Sequence, residues 1–139
     1  MSEKQPSLFV VDDEKIIAET LTRILQQHGF AVTTFTDPQK ALIAARSSPP
    51  DLLLTDVMMP QLSGVDLAIQ IKAEFPECKI LLFSGQGGTA DLLEKAVQMG
   101  YNFTLLTKPL HPTELLRVIR AQDPTWVDRL GSASQFPCE

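Results

Sequence analysis

Short apolar runs alternate five times with stretches of helical spacing along this chain, and few folds accommodate that pattern. Leu8-Phe9-Val10-Val11 is a continuous apolar run, after which Ile17, Leu21, Ile24 and Leu25 recur at the spacing of one helix face until His28-Gly29. Ala31 to Phe35 (AVTTF) reads as a second strand. Asp37-Pro38 reads as an N-cap with proline in the first helical position, opening a helix through Ala45 that Pro49-Pro50 stops. Leu52-Leu53-Leu54 is a third strand, and Val65 to Ala73 a third helix. Ile80 to Phe83 is a fourth strand, followed by a helix marked by Leu93, Ala96 and Val97 and closed by Gly100. Phe103 to Thr107 is the last strand, and Pro112 begins a helix carried by Leu115, Leu116 and Ile119.

Five strand-then-helix units with short connections predict a doubly wound α/β domain: a five-stranded parallel sheet with five helices covering both faces. The strands at Leu8, Leu52 and Ile80 are apolar throughout, as strands buried on both faces must be. The threonines of AVTTF place that strand at an edge. Residues 7–121 form the expected domain and residues 122–139 a C-terminal tail. The tail is polar, with isolated Trp126, Leu130 and Phe136, and its pattern does not decide between a short helix and a loose end. It is too short for a second domain, so an output module is expected to be absent from the chain.

In an open parallel sheet, ligands bind beyond the carboxyl ends of the strands. The first strand ends in Asp12-Asp13, the third in Asp56, the fourth in Ser84-Gly85 and the fifth in Lys108-Pro109. Three carboxylates, a hydroxyl and an ammonium therefore converge on one rim. Carboxylates that close repel unless a cation neutralises them. An all-oxygen donor set of high charge suits Mg²⁺. Beside that ion a third carboxylate can attack a phosphoryl group and form an aspartyl phosphate. Lys108 would hold phosphoryl oxygens, Ser84 would donate a hydrogen bond, and Gly85, lacking Cβ, would let a phosphodonor approach.

Asp12-Asp13, then Asp56 to Gly64 as D-V-M-M-P-x-x-x-G, then Ser84-Gly85, then Lys108-Pro109, resembles the response-regulator receiver family of two-component signalling, over about residues 7 to 121. The resemblance implies a flavodoxin-like sheet of order 2-1-3-4-5. It implies Asp56 as phosphoacceptor, fed by a sensor histidine kinase or a phosphotransfer protein, and an unknown protein downstream. It implies a Mg²⁺ site completed by the backbone carbonyl of Met58, phosphoryl sensing by Ser84 and Lys108, and a cis peptide at Pro109. The chain departs from the family at its switch. The aromatic residue usual three positions before the lysine is Leu105 here, the segment from Gly100 to Lys108 is one residue longer, and the loop Gly85-Gln86-Gly87-Gly88 is rich in glycine. The expected response therefore moves to residues 85–88, with Phe103 repacking beside Leu105.

Two other functions compete. A Mg²⁺-dependent phosphotransferase or phosphatase working through an aspartyl phosphate would want an acid two residues after the nucleophile, where this chain has Met58, which has no proton to give. A degenerate receiver acting only as a binding module would not need every acidic residue. The expectation is a signalling switch that catalyses only its own phosphorylation and dephosphorylation. The net charge of -5 speaks against binding nucleic acid. There is no apolar run long enough to span a membrane, and MSEKQPS is not a signal peptide. Cys78 and Cys138 lie far apart without a CxxC pattern and read as reduced thiols of a cytoplasmic protein, monomeric or weakly dimeric. SGQGG mimics a phosphate-binding glycine loop but matches neither nucleotide-binding motif. His28 and His111 read as a helix end and a cap neighbour.

Overall fold

In a computed structural model of the chain, residues 5–85, 90–108, 111–123, 125 and 126 are described. The elements are β1 (Ser7–Val11), α1 (Lys15–Gln27), β2 (Ala31–Phe35), α2 (Pro38–Ser47), β3 (Leu52–Asp56), α3 (Gly64–Glu74), β4 (Lys79–Ser84), α4 (Ala90–Gln98), β5 (Thr104–Thr107) and α5 (Pro112–Ala121). The five strands are parallel, in the order β2-β1-β3-β4-β5. This is the predicted sheet, with AVTTF at one edge.

Alternate side chains of β1, β3 and β4 feed two cores, as the period of two requires. Phe9, Val11, Leu53, Ile80 and Leu82 pack with α2, α3 and α4. Leu8, Val10, Leu54, Leu81 and Phe83 pack with α1 and α5. The Asp37 side chain accepts from the Gln39 N–H ahead of Pro38, so the predicted cap is present. His28 is the C-cap of α1, its Nδ1 2.9 Å from the Ile24 carbonyl, and His111 is the N-cap of α5. The threonines of β2 also have a local use: Thr34 Oγ1 lies 2.6 Å from Thr22 Oγ1 on α1.

Two features differ from the sequence pattern. β5 begins at Thr104, one residue later than predicted, because Phe103 stacks on Tyr101 (centroids 5.5 Å apart, planes at 7°) and packs towards the α3–α4 core. Trp126, which the pattern left open, is buried in the α1–α5 core, edge-on to Phe30 at 6.2 Å. Asp123 Oδ1 accepts from both the N–H and the hydroxyl of Thr125 and turns the chain back after α5. Cys78 is buried and unbridged, and Cys138 lies outside the described residues. Among the described residues, no helix is long and apolar enough to cross a membrane.

Candidate functional site: an acidic pocket beyond the strand ends

The sheet order puts β1 beside β3, and the chain leaves their carboxyl ends towards opposite edges. The crevice between those ends is the topological switch point. Val11 pairs with Thr55, so Asp12 and Asp56 emerge side by side. One carboxylate oxygen from each of Asp12, Asp13 and Asp56 lies within 4.8 Å of the other two. Asp12 and Asp56 are buried, and Asp13 is exposed at the mouth.

Backbone and cation hold this cluster. The Glu14 N–H donates to Asp12 Oδ1 (2.9 Å), and the Asp12 N–H donates to the Phe35 carbonyl at the end of β2. Lys108 Nζ stands 3.5 Å from both Asp12 Oδ2 and Asp56 Oδ2, and 5.1 Å from the centre of the Phe83 ring. Its stem runs past Gly85, where an added Cβ would sit 3.1 Å from Lys108 Cδ. Ser84 ends β4, buried at the pocket wall. Asp13, Glu14, Asp56, Met58, Ser84 and Lys108 are among the side chains around a cavity of about 380 Å³. The sequence-predicted residues Asp12, Asp13, Asp56, Met58, Ser84, Gly85 and Lys108 are therefore brought together. Phe103 and Leu105 belong to the α4–β5 flank. Gln86, Gly87, Gly88 and Pro109, with its expected cis peptide, lie outside the described residues.

One lysine does not balance the acids. Burial, helped by the nearby charges of Asp56 and Asp13, pushes the Asp12 carboxyl up to about 6, against the pull of the Glu14 N–H and of Lys108. Burial also raises Asp56, although Lys108 and the Met58 N–H oppose it. Asp12 Oδ2 is buried and receives no hydrogen bond, only the ion pair with Lys108. An oxygen-only site with surplus negative charge and an orphaned carboxylate oxygen fits a hard divalent cation such as Mg²⁺.

The same strain predicts a pH dependence. The folded protein holds the Asp12 proton more tightly than the unfolded chain does. Between about pH 4 and 6 the unfolded state thus binds fewer protons, and stability falls as pH rises. In the absence of Mg²⁺, stability at pH 7 should be lower than near pH 4 by on the order of 2 kcal/mol from this group. Asp12→Asn should flatten the slope. Urea unfolding in a chelator at several pH values checks this; a slope unchanged in Asp12→Asn would refute it.

Sequence reasoning missed Gly64 as a structural part of the site and passed over Thr55. An added Cβ at Gly64 would lie 1.8 Å from the Asp56 carbonyl oxygen. Thr55 donates its hydroxyl to that same oxygen at 3.0 Å. The glycine that ends the D-V-M-M-P-x-x-x-G motif was the available signal for Gly64.

Comparison with known families decides the lineage. Residues 8–120 match the model of the response regulator receiver domain. The chain belongs to that family. This receiver domain is 32% identical over 115 residues to the probable transcriptional regulatory protein TcrX of Mycobacterium tuberculosis, a match covering 83% of the chain and 48% of TcrX. It is 32% identical over 136 residues to the transcriptional regulatory protein CreB of Escherichia coli, covering 92% of the chain and 58% of CreB. The receiver domain thus spans about half the length of these relatives. Among solved structures, the signal receiver domain of an HD domain-containing protein from Pseudomonas fluorescens superposes with a TM-score of 0.78. That pair is 25% identical, over 93% of this chain and 99% of the other.

Proposed function

We propose that this receiver domain is a phosphorylation-dependent signalling switch in which Asp56 takes a phosphoryl group from a phosphohistidine of a sensor histidine kinase or phosphotransfer protein. The observation that carries this is the meeting of three carboxylates within 4.8 Å, two of them 3.5 Å from Lys108, at the switch point of the sheet. The carboxylates of Asp12, Asp13 and Asp56 and the carbonyl of Met58 would hold Mg²⁺, which supplies positive charge to the phosphoryl oxygens. An Asp56 oxygen attacks phosphorus, the new O–P bond forms, and the bond to the donor nitrogen breaks. Lys108 pairs with one phosphoryl oxygen and the Ser84 hydroxyl donates to another. Gly85 leaves the approach open. An apolar trough along α1 shares Ile17, Gly85 and Lys108 with the pocket, and its Ile16 is 80% exposed, which supports docking of a donor protein beside the acceptor.

The domain acts on itself alone: Met58 stands where a phosphatase or phosphotransferase would keep its acid, and methionine has no proton to give. The switch unit is residues 7–121, with Trp126 packed back against it, working in the cytoplasm as a monomer or weak dimer on a protein partner. A net charge of -5 supports a protein partner over nucleic acid. The experiment is incubation with acetyl phosphate: intact mass should rise by one phosphoryl group when Mg²⁺ is present and stay constant in a chelator. An unchanged mass at saturating donor and Mg²⁺ would overturn the proposal.

The phosphoryl group brings about -1.5 to -2 charges, and Ser84 moves to meet it. Leu105, 37% exposed in register with Leu82, has no ring to rotate. Phe103 is engaged with Tyr101. The Gly85–Gly88 loop after Ser84 therefore carries the response, with Phe103 following. Amide exchange with and without beryllium fluoride should change most at residues 84–92, and Ser84→Ala should suppress the change. Changes confined to residues 103–105 would place the switch on β5 instead.

A further inference from the structure

β3 is buried from end to end, and four of its five residues have an evident reason to be there. Leu52, Leu53 and Leu54 fill the two cores, and Asp56 is the acid of the pocket. Thr55 is different. It is fully buried, and its strand neighbours are Val11 and Leu82, both apolar. Valine would fill the same space with the same preference for a strand and no polar atom to satisfy. The hydroxyl instead donates to the carbonyl oxygen of Asp56 at 3.0 Å.

That carbonyl belongs to the Asp56–Val57 peptide, which is held on every side. Its N–H donates to the Phe83 carbonyl at 3.0 Å. Gly64 closes over its oxygen so tightly that no Cβ fits between them. The Thr55 hydroxyl is the side-chain contact completing this clamp. The Asp56 side chain leaves from one end of the peptide, and the chain reaches the Met58 carbonyl just beyond the other. Mg²⁺ requires nearly ideal octahedral geometry and tolerates displaced ligands poorly.

We propose that Thr55 is a positioning residue: its hydroxyl, bonded to the Asp56 carbonyl, fixes the Asp56–Val57 peptide and thereby the geometry in which Asp56 and Met58 bind Mg²⁺. This rests on the Mg²⁺-dependent phosphoacceptor function proposed above. Groups that orient metal ligands from behind influence affinity strongly although they never touch the ion.

The experiment compares wild type, Thr55→Val and Thr55→Ser in the full chain. Mg²⁺ affinity is measured by calorimetry, and the rate of phosphorylation by acetyl phosphate is followed across a Mg²⁺ series. Thr55→Val should weaken Mg²⁺ binding about tenfold. Its phosphorylation rate should fall at low Mg²⁺ and recover towards wild type at saturating Mg²⁺. Thr55→Ser keeps the hydroxyl and should stay within about twofold of wild type in affinity, since only a methyl group is lost. Should Thr55→Val fail to fold, Thr55→Ala against Thr55→Ser makes the same comparison. Equal affinity in the valine and wild-type proteins overturns the assignment, and so does an equal loss in the valine and serine proteins, which would make packing the cause. A wild type that neither binds Mg²⁺ nor takes up phosphoryl overturns the function itself, a result distinguishable from either.

Discussion

Asp56→Asn should leave the chain unphosphorylated by acetyl phosphate under conditions that fully modify the wild type. Asparagine has nearly the shape of aspartate, so the pocket stays intact, but its amide oxygen is neutral and a poor nucleophile. The expected loss is two orders of magnitude or more in rate, on the order of 3 kcal/mol of barrier. The variant should not fail by unfolding. Asp56 is one of the charges that push the Asp12 carboxyl up, so neutralising it relieves repulsion. Lys108 retains Asp12 as its partner at 3.5 Å. Mass spectrometry of the two proteins side by side, with peptide mapping of the modified wild type, makes the comparison. A phosphoryl group still appearing on Asp56→Asn at the wild-type rate would move the acceptor to another residue.

Much of this site was legible because the chemistry follows the strands. A run such as Leu52-Leu53-Leu54 has to be buried, so the first charged residue after it has to lie at the sheet's rim; the same holds for Asp12 and Lys108, and Ser84 brings a hydroxyl to the rim as the last residue of β4. The alternation of strand and helix periods then fixes which rim. What was not legible depends on contacts between distant segments. The dual reach of Lys108 to Asp12 and Asp56 is a distance, and no spacing encodes it. Trp126 looked like a stray aromatic in a polar tail because its partner Phe30 lies at the other end of the chain. Phe103 fell within the run assigned to the last strand, but its ring stacks on Tyr101 just ahead of the strand's first residue, Thr104. Thr55 was hidden by its own suitability: a β-branched residue in a strand raises no question until its hydroxyl is traced to the Asp56 carbonyl.

Gly64→Ala should be among the most damaging substitutions of a single methyl group in this protein. The glycine opens α3 directly after the Ser63 cap, whose hydroxyl accepts from the Asp66 N–H. Its own N–H donates to the Val57 carbonyl at 2.8 Å, which draws the helix start onto the end of β3. A Cβ there would lie 1.8 Å from the Asp56 oxygen, 2.8 Å from the Asp56 carbonyl carbon and 3.0 Å from Val57 Cα. All three are backbone atoms, so no side chain can swing aside, and either α3 or the end of β3 must move. The expected cost is about 3 kcal/mol or more. Gly100 makes the contrasting case. Its φ is +93°, which costs an alanine about 1 to 2 kcal/mol, but its Cβ would meet nothing within 4 Å. Gly100→Ala should therefore be the milder change, and Mg²⁺ binding should survive it unaltered. Gly64→Ala should weaken Mg²⁺ binding as well as stability, because the atoms it displaces carry Asp56. Urea unfolding with and without Mg²⁺ reads both effects, and a Gly64→Ala protein more stable than Gly100→Ala would mean that the helix start yields without disturbing the strand.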